Sequence, residues 1–144
     1  MNYFTYEKLL EVHDKVLAVS GGMPGVKDEG LIKGPLEFIE DDDYYPTPSD
    51  KLTHLIYSLV KNHGFHDGNK RTALAAGGLL LMLNGYDDFV AYYFLMFEQV
   101  VVLVADNRLT KDQLGVLVSD MIDLGELSES SKVMIVDALP EELR

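Results

Sequence analysis

The stretch His63-Gly64-Phe65-His66-Asp67-Gly68-Asn69-Lys70-Arg71 gathers a base, a hard-metal ligand, an amide and two cations into nine residues. Directly after it, Thr72 to Leu83 runs apolar and small, with Ala73, Ala75, Ala76, Gly77 and Gly78 in sequence. A turn at Gly68-Asn69 therefore feeds into a helix N-terminus, where free backbone N–H groups and the helix dipole favour an anion. The small side chains let neighbouring helices approach closely, as a central, buried helix requires.

Each member of the stretch has a separate chemical use. His63 is the candidate general base, because an imidazole titrates near neutrality and can take a hydroxyl proton there. Asp67 suits Mg²⁺, which often takes one or two carboxylates and completes its octahedron with phosphate oxygens and water; it would also serve as an N-cap. Gly68 allows close backbone approach to a phosphate. Asn69 either holds the loop or donates to a phosphate oxygen, while Lys70 supplies a point charge and Arg71 a planar fork. Phe65 reads as the apolar anchor of the loop. His63 and His66 also form an H-x-x-H pair, but with no cysteine and only His13 and His54 elsewhere, a transition-metal site is short of ligands.

Outward from this stretch the chain reads as helices. Thr5 is placed to cap a first helix carrying Leu9, Leu10, His13, Val16 and Leu17 at helical spacing and ending at Gly21-Gly22. Gly21 to Gly30 is a Gly- and Pro-bearing loop, on composition an ordinary connector. Leu31 to Glu40 is amphipathic, and the run from Asp41 to Pro48 breaks it. Ser49 or Asp50 is expected to cap a third helix reaching Asn62, which delivers the motif. Phe89 to Ala105 is a further apolar helix. Thr110 with Gln113 forms a capping box for a helix bearing Leu114, Leu117, Val118 and Met121. Beyond Leu124, Ser128 to Ser131 is a polar break, and Val133 to Leu143 is apolar enough to dock.

Composition bounds the answer. A chain of 144 residues is the size of one domain and buries roughly 70% of its unfolded surface. Absence of cysteine suits a reducing, cytoplasmic setting, and Met1-Asn2-Tyr3-Phe4 lacks the pattern of a secretory signal. Neither apolar stretch reaches the ~20 residues of a bilayer span, so both read as buried helices and no membrane partner is expected. Twelve Lys and Arg against 24 Asp and Glu leave a charge of −12, which opposes phosphate tracking and argues against a nucleic-acid partner. Against that background Lys70 and Arg71 form a local positive island.

The nine-residue stretch resembles the signature of the Fic/Doc family, whose general pattern is His-x-Phe-x-Asp/Glu-Gly-Asn-Gly-Arg-x-x-Arg. It is more similar to the death-on-curing (Doc) branch, in which Lys replaces the second Gly and the last Arg is absent; Lys70 and Leu74 occupy those positions here. Gly21-Gly22-Met23-Pro24-Gly25-Val26-Lys27-Asp28-Glu29-Gly30-Leu31 and Asn84-Gly85-Tyr86 extend the resemblance, which spans roughly Tyr3 to Leu124. Gly68 is the Fic-like choice where Ala occurs in the Doc branch, and Gly64 stands where Pro is frequent.

The resemblance implies an all-α fold: a bundle of about six helices around a buried central helix, with a Fic/Doc-like domain over 1–124 and an extension over 125–144. It implies a toxin of a toxin–antitoxin system that transfers the γ-phosphate of ATP to a Ser/Thr hydroxyl of a protein, as Doc toxins do to elongation factor Tu, with Mg²⁺ as cofactor. By position, His63 is then the base, Asp67 the Mg²⁺ ligand, Lys70 a catalytic cation, and Gly68, Asn69, Lys70 and Arg71 the nucleotide binders. The loop from Gly21 to Gly30 becomes a flap that guides the target. AMP transfer and a catalytically silent binding module are the alternatives. The Ser/Thr-x-x-x-Glu-Gly/Asn inhibitory motif of some Fic proteins is absent, which points to a separate antitoxin. Its helix would dock in an apolar groove, and the −12 charge leads us to expect basic flanks on it.

Overall fold

The computed structural model describes residues 1–144 and is all-helical, with seven α-helices: α1 (Tyr6–Ser20), α2 (Gly30–Phe38), α3 (Pro48–Asn62), α4 (Asn69–Leu83), α5 (Val90–Ala105), α6 (Lys111–Leu124) and α7 (Glu129–Ala138). That is one more helix than the bundle of about six, and the extra one is α7. Short 3₁₀ turns at Asp87–Phe89 and Glu141–Leu143 complete it.

Helix α4 runs through the centre, packed against α1, α3 and α5. Its Thr72, Ala73, Ala76, Gly77 and Gly78 are all buried. A Cβ on Gly77 would overlap the Tyr93 hydroxyl, and one on Gly78 would overlap the Phe94 ring. The glycines thus set the approach of α5, at a cost of about 1 kcal/mol each in helix propensity relative to Ala. The Tyr93 hydroxyl donates to the Leu74 carbonyl at 2.8 Å, so this fully buried phenol is satisfied, and burial pushes its pKa up.

The caps follow the sequence at most ends. Thr5 accepts from the Lys8 N–H at 3.1 Å, and Thr110 with Gln113 forms the expected box. At α3 the cap is Thr47, two residues earlier than Ser49 and three before Asp50. Pro48 explains the shift: it is pre-set for the first helical position, and Asp50 closes a box as the third residue rather than the cap.

Helix α2 contains Pro35, which removes the N–H that would reach the Leu31 carbonyl. That carbonyl instead accepts from the Asn62 side-chain amide at 3.0 Å. The defect in α2 is thus repaired by the last residue of α3, which fixes where the next loop begins.

Asp87–Ala105, 19 residues, is the one helical stretch long and apolar enough to cross a membrane by length and composition. In this fold it packs against α3, α4 and α6; Tyr93, Phe97, Val100 and Val104 are buried while Leu95, Glu98 and Gln99 face outward. After α6, Ser128 caps α7. Leu127 and Ala138 join the same buried cluster as Leu80 and Val100.

Candidate active site

The loop between α3 and α4 is built from both sides. His63 ends α3 in the left-handed region (φ 51°, ψ 47°), turning the chain so that Phe65 enters the core at 2% exposure. Phe65 stacks on the buried His13 ring at 3.8 Å and 9°. Gly64 is pressed against Ile32, whose side chain an added Cβ would overlap. Its carbonyl accepts from the N–H groups of Lys27 (2.8 Å) and Asp28 (3.0 Å).

These bonds tie the motif to the segment from Gly21 to Gly30, with an antiparallel bridge between Val26 and Phe65 and a bond from the His66 N–H to the Gly25 carbonyl at 3.3 Å. Composition read this segment as a connector. Its backbone polar groups are in fact spent on the motif loop, so it forms one wall of the site.

Asn69 braces the loop internally: its carbonyl oxygen accepts from the Phe65 N–H and its amide donates to the Phe65 carbonyl, both at 3.0 Å. Of the two uses open to Asn69, holding the loop is the one formed; one amide N–H remains free.

Gly68, not Asp67, is the residue before α4, in the left-handed region at φ 78° with no side-chain cap. A Cβ there would be strained and would sit 3.2 Å from Leu17. Helices α1, α3, α6 and α7 each begin with a Ser or Thr that accepts a first-turn N–H. At α4 the N–H groups of Asn69, Lys70 and Arg71 have no acceptor. They open into a cleft of about 400 Å³ lined wholly by non-hydrophobic residues, from Ser20-Gly21-Gly22 on one side to Asp67 through Arg71 on the other. Lys70 and Arg71 are exposed and form no ion pair, although the chain carries 24 carboxylates. An uncapped N-terminus with two free cations can hold an anion such as phosphate.

Asp67 is fixed at two points. Its Oδ2 accepts from the Met23 N–H at 2.6 Å, and its backbone carbonyl lies 2.8 Å from His13 Nε2, which donates as the Nε2–H tautomer. Gly22, at φ 122°, lets the chain pass close by: a Cβ there would come within 3.1 Å of Asp67 Cβ. The second carboxylate oxygen carries no hydrogen bond, so it is available to a cation. No group of three His, Asp or Glu side chains converges anywhere. A Mg²⁺ at Asp67 would therefore draw its other ligands from phosphate and water, which fits that ion's habits.

His63 is exposed and its side chain makes no hydrogen bond, which is not the environment of a packed core histidine. His13 is the residue sequence reading missed. It counts as an apolar-face position of α1 by spacing, and only the fold brings it under Asp67. The signal available was a histidine at an i+4 position from Leu9, where an apolar side chain would serve packing alone.

A family model described as the Fic/DOC family matches residues 3–81. Toxin Doc of Mycolicibacterium smegmatis is 42% identical over 69 residues, covering 45% of this chain and 53% of that protein. Protein kinase doc of Escherichia phage P1 is 31% identical over 93 residues, covering 62% of this chain and 73% of that protein. The chain thus spans about half the length of the first relative and nearly three quarters of the second.

Proposed function

This chain belongs to the Fic/DOC family, and we propose on that premise that it is a Doc-type toxin that transfers the γ-phosphate of ATP to a Ser or Thr hydroxyl of a protein, with elongation factor Tu as the target. The observation that carries the reading is Lys70 in the first turn of the uncapped α4, with Leu74 one turn later half-buried against the core. A bulky cation thus stands where the family's AMP-transfer pattern has Gly, and the Arg of that pattern is replaced by an apolar residue.

In this reading His63 takes the proton of the acceptor hydroxyl, whose oxygen bonds to the γ-phosphorus as the β–γ phosphoanhydride bond breaks and ADP leaves. Lys70, Arg71 and the free N–H groups of α4 hold the phosphates and offset the charge that builds on the leaving oxygen. Asp67 would hold Mg²⁺, which when bound would neutralise phosphate charge. Met23 and His13 keep the Asp67 carboxylate and carbonyl in place, and Asn69 keeps the loop from opening. The wall from Gly21 to Gly30 is where the target strand runs.

Regulation in trans belongs to the same proposal. An apolar groove of about 390 Å³ lies between α1 and α4, formed by Val12, Val16, Val19 and Ala75. Val19 is 90% exposed, which suits a groove that a partner helix covers. Lys15 and Arg71 stand at its rim, so local charge favours acidic flanks on an antitoxin helix. The net charge of −12 led to the opposite expectation because it averages over distant surfaces, which salt screens beyond about 8 Å.

The test is incubation of the purified chain with elongation factor Tu and ATP labelled at either the γ- or the α-phosphate. Label from the γ-position alone is expected. Label from the α-position alone means AMP transfer; no label from either excludes elongation factor Tu as the target, and no label in a whole bacterial lysate as well means a silent binding module.

A further inference from the structure

We propose that the pocket bounded by Phe38, Tyr44, Tyr45 and His54, with Asp41 at its rim, seats an arginine side chain of a partner polypeptide. It lies where the C-terminal end of α2 meets the first half of α3, away from the loop after α3: His54 precedes His63 by nine residues, about 14 Å along the helix at 1.5 Å per residue. The pocket measures about 310 Å³, at the small end of the ~300–1,000 Å³ range of ligand sites, and so fits one side chain better than a cofactor.

Its walls are aromatic and inclined to one another. Tyr44 and Tyr45 meet at 5.0 Å and 60°, Tyr45 and His54 at 4.5 Å and 31°, and Phe38 and His54 at 6.4 Å and 67°. Phe38 is 61% and Tyr44 75% exposed, although either would bury much apolar area in a core. Ring faces set around a gap attract a cation through their quadrupoles.

The carboxylate at the rim is already oriented. Asp41 Oδ1 accepts from the N–H groups of Asp43 (3.0 Å) and Tyr44 (3.2 Å), leaving its other oxygen without a partner. Asp42 is taken by the buried Lys51 at 2.7 Å, while Asp43 has no ion pair. No internal cation fills the gap. Lys111 sits 5.9 Å over the Tyr45 ring and 3.0 Å from His54 Nδ1, but it comes from α6 and lines the neighbouring cleft, which shares Tyr44 and Tyr45 with this pocket, and it stands over neither the Phe38 nor the Tyr44 ring. His54 is itself neutral at physiological pH, since burial and then Lys111 lower its pKa to about 4. Phe38 and Tyr44 therefore remain for an incoming cation. Arginine suits them better than lysine, because a guanidinium is weakly hydrated, stacks flat on a ring and forks to a carboxylate.

This inference stands apart from the proposed phosphate transfer, and its test involves no catalysis. The aromatic ¹³C signals of the full chain are followed by NMR during titration with acetyl-Gly-Gly-Arg-Gly-Gly-amide, and with the same peptide carrying citrulline, the uncharged isostere of arginine. Saturable shifts of the Phe38 and Tyr44 rings are expected, with the citrulline peptide weaker by about fivefold or more. Phe38→Ala and Tyr44→Ala, both at exposed positions, should weaken binding likewise with unchanged Tm. Asp41→Asn, which keeps the oxygen that accepts from the loop, should weaken it through charge alone. Equal binding of the citrulline peptide, no saturable shift, or binding indifferent to both aromatic substitutions would overturn the proposal. Equal binding of a lysine peptide would overturn the choice of arginine.

Discussion

His63 is exposed and makes no side-chain hydrogen bond, so the fold has little stake in its imidazole. His63→Ala is therefore expected to leave Tm and nucleotide affinity unchanged while slowing transfer by about 10²–10⁴-fold, the usual contribution of a general base; thermal unfolding, nucleotide titration and label transfer check the three parts. Asp67→Asn should behave differently. The Asn oxygen can still accept from the Met23 N–H, but the charge available to Mg²⁺ is gone, so the Mg²⁺-dependent part of nucleotide affinity should fall while Mg²⁺-independent binding persists. If affinity falls equally with and without Mg²⁺, Asp67 is a loop brace and not a metal ligand. At this scale the residue types of the motif were legible in sequence because each carries its chemistry in its side chain. What stayed illegible was how Asn69 and His13 spend their polar atoms. Asn69 bonds Phe65 within the loop, and His13 reaches Asp67 across 54 positions, a pairing that no local pattern encodes.

The helices were legible where a capping side chain sits beside an apolar period, as at Thr5 and Thr110. The start of α3 was misplaced because Thr47, Ser49 and Asp50 are all competent caps, and the choice among them falls to Pro48. The small-residue character of α4 was also plain, and its consequence is testable. Gly77→Ala gains helix propensity of about 1 kcal/mol but drives a methyl into the Tyr93 hydroxyl; overpacking of this kind costs about 1–3 kcal/mol. Net destabilisation is expected in urea unfolding, and the cost should shrink in a Tyr93→Phe background, where the obstructing oxygen is gone. Strict additivity would mean that the two groups are not in conflict. A second expectation concerns α3. His54 has a folded pKa of about 4 against an unfolded value near 6.5. It faces Lys111 from α6, Tyr45 from the α2–α3 loop, Phe38 from α2 and Ser58 on its own helix. Its folded pKa is depressed, so its stabilising effect is whole above pH 6.5 and is lost as pH falls from there through about 4. Because the ring is only half-buried, solvent screening limits the loss to about 1 kcal/mol. The stability of wild type relative to His54→Gln should fall by that amount across the window, and a constant difference would show that His54 titrates normally.

At the scale of the whole molecule, the division into a helical body and an extension was drawn where the family pattern fades, yet α7 is packed into the body. The Leu127 N–H donates to the Tyr92 hydroxyl at 3.0 Å and the Ser128 N–H to Asp120 Oδ2 at 2.6 Å. Leu127, at 2% exposure, is buried with the core. Sequence could not place this helix, because its apolar period is weak and its anchors, Tyr92 and Asp120, belong to α5 and α6. Those contacts decide what the tail can do. Helix α7 packs on α6, whereas the cleft proposed for phosphate transfer is lined by the end of α1 and the start of α4. An inhibitor in cis must reach Lys70 or Arg71, and α7 is pinned elsewhere. Removing Glu126–Arg144 should therefore lower Tm without raising transfer activity per folded molecule. Leu127→Ala provides the same test where the truncated chain does not fold: loss of a buried leucine costs about 2–5 kcal/mol and loosens the tail while leaving it attached. Both variants should keep wild-type transfer rates at temperatures where they are folded. A severalfold rise in either would mean that the tail leaves its seat on α6 to restrain the site, and restraint by a separate antitoxin would then lose its main support.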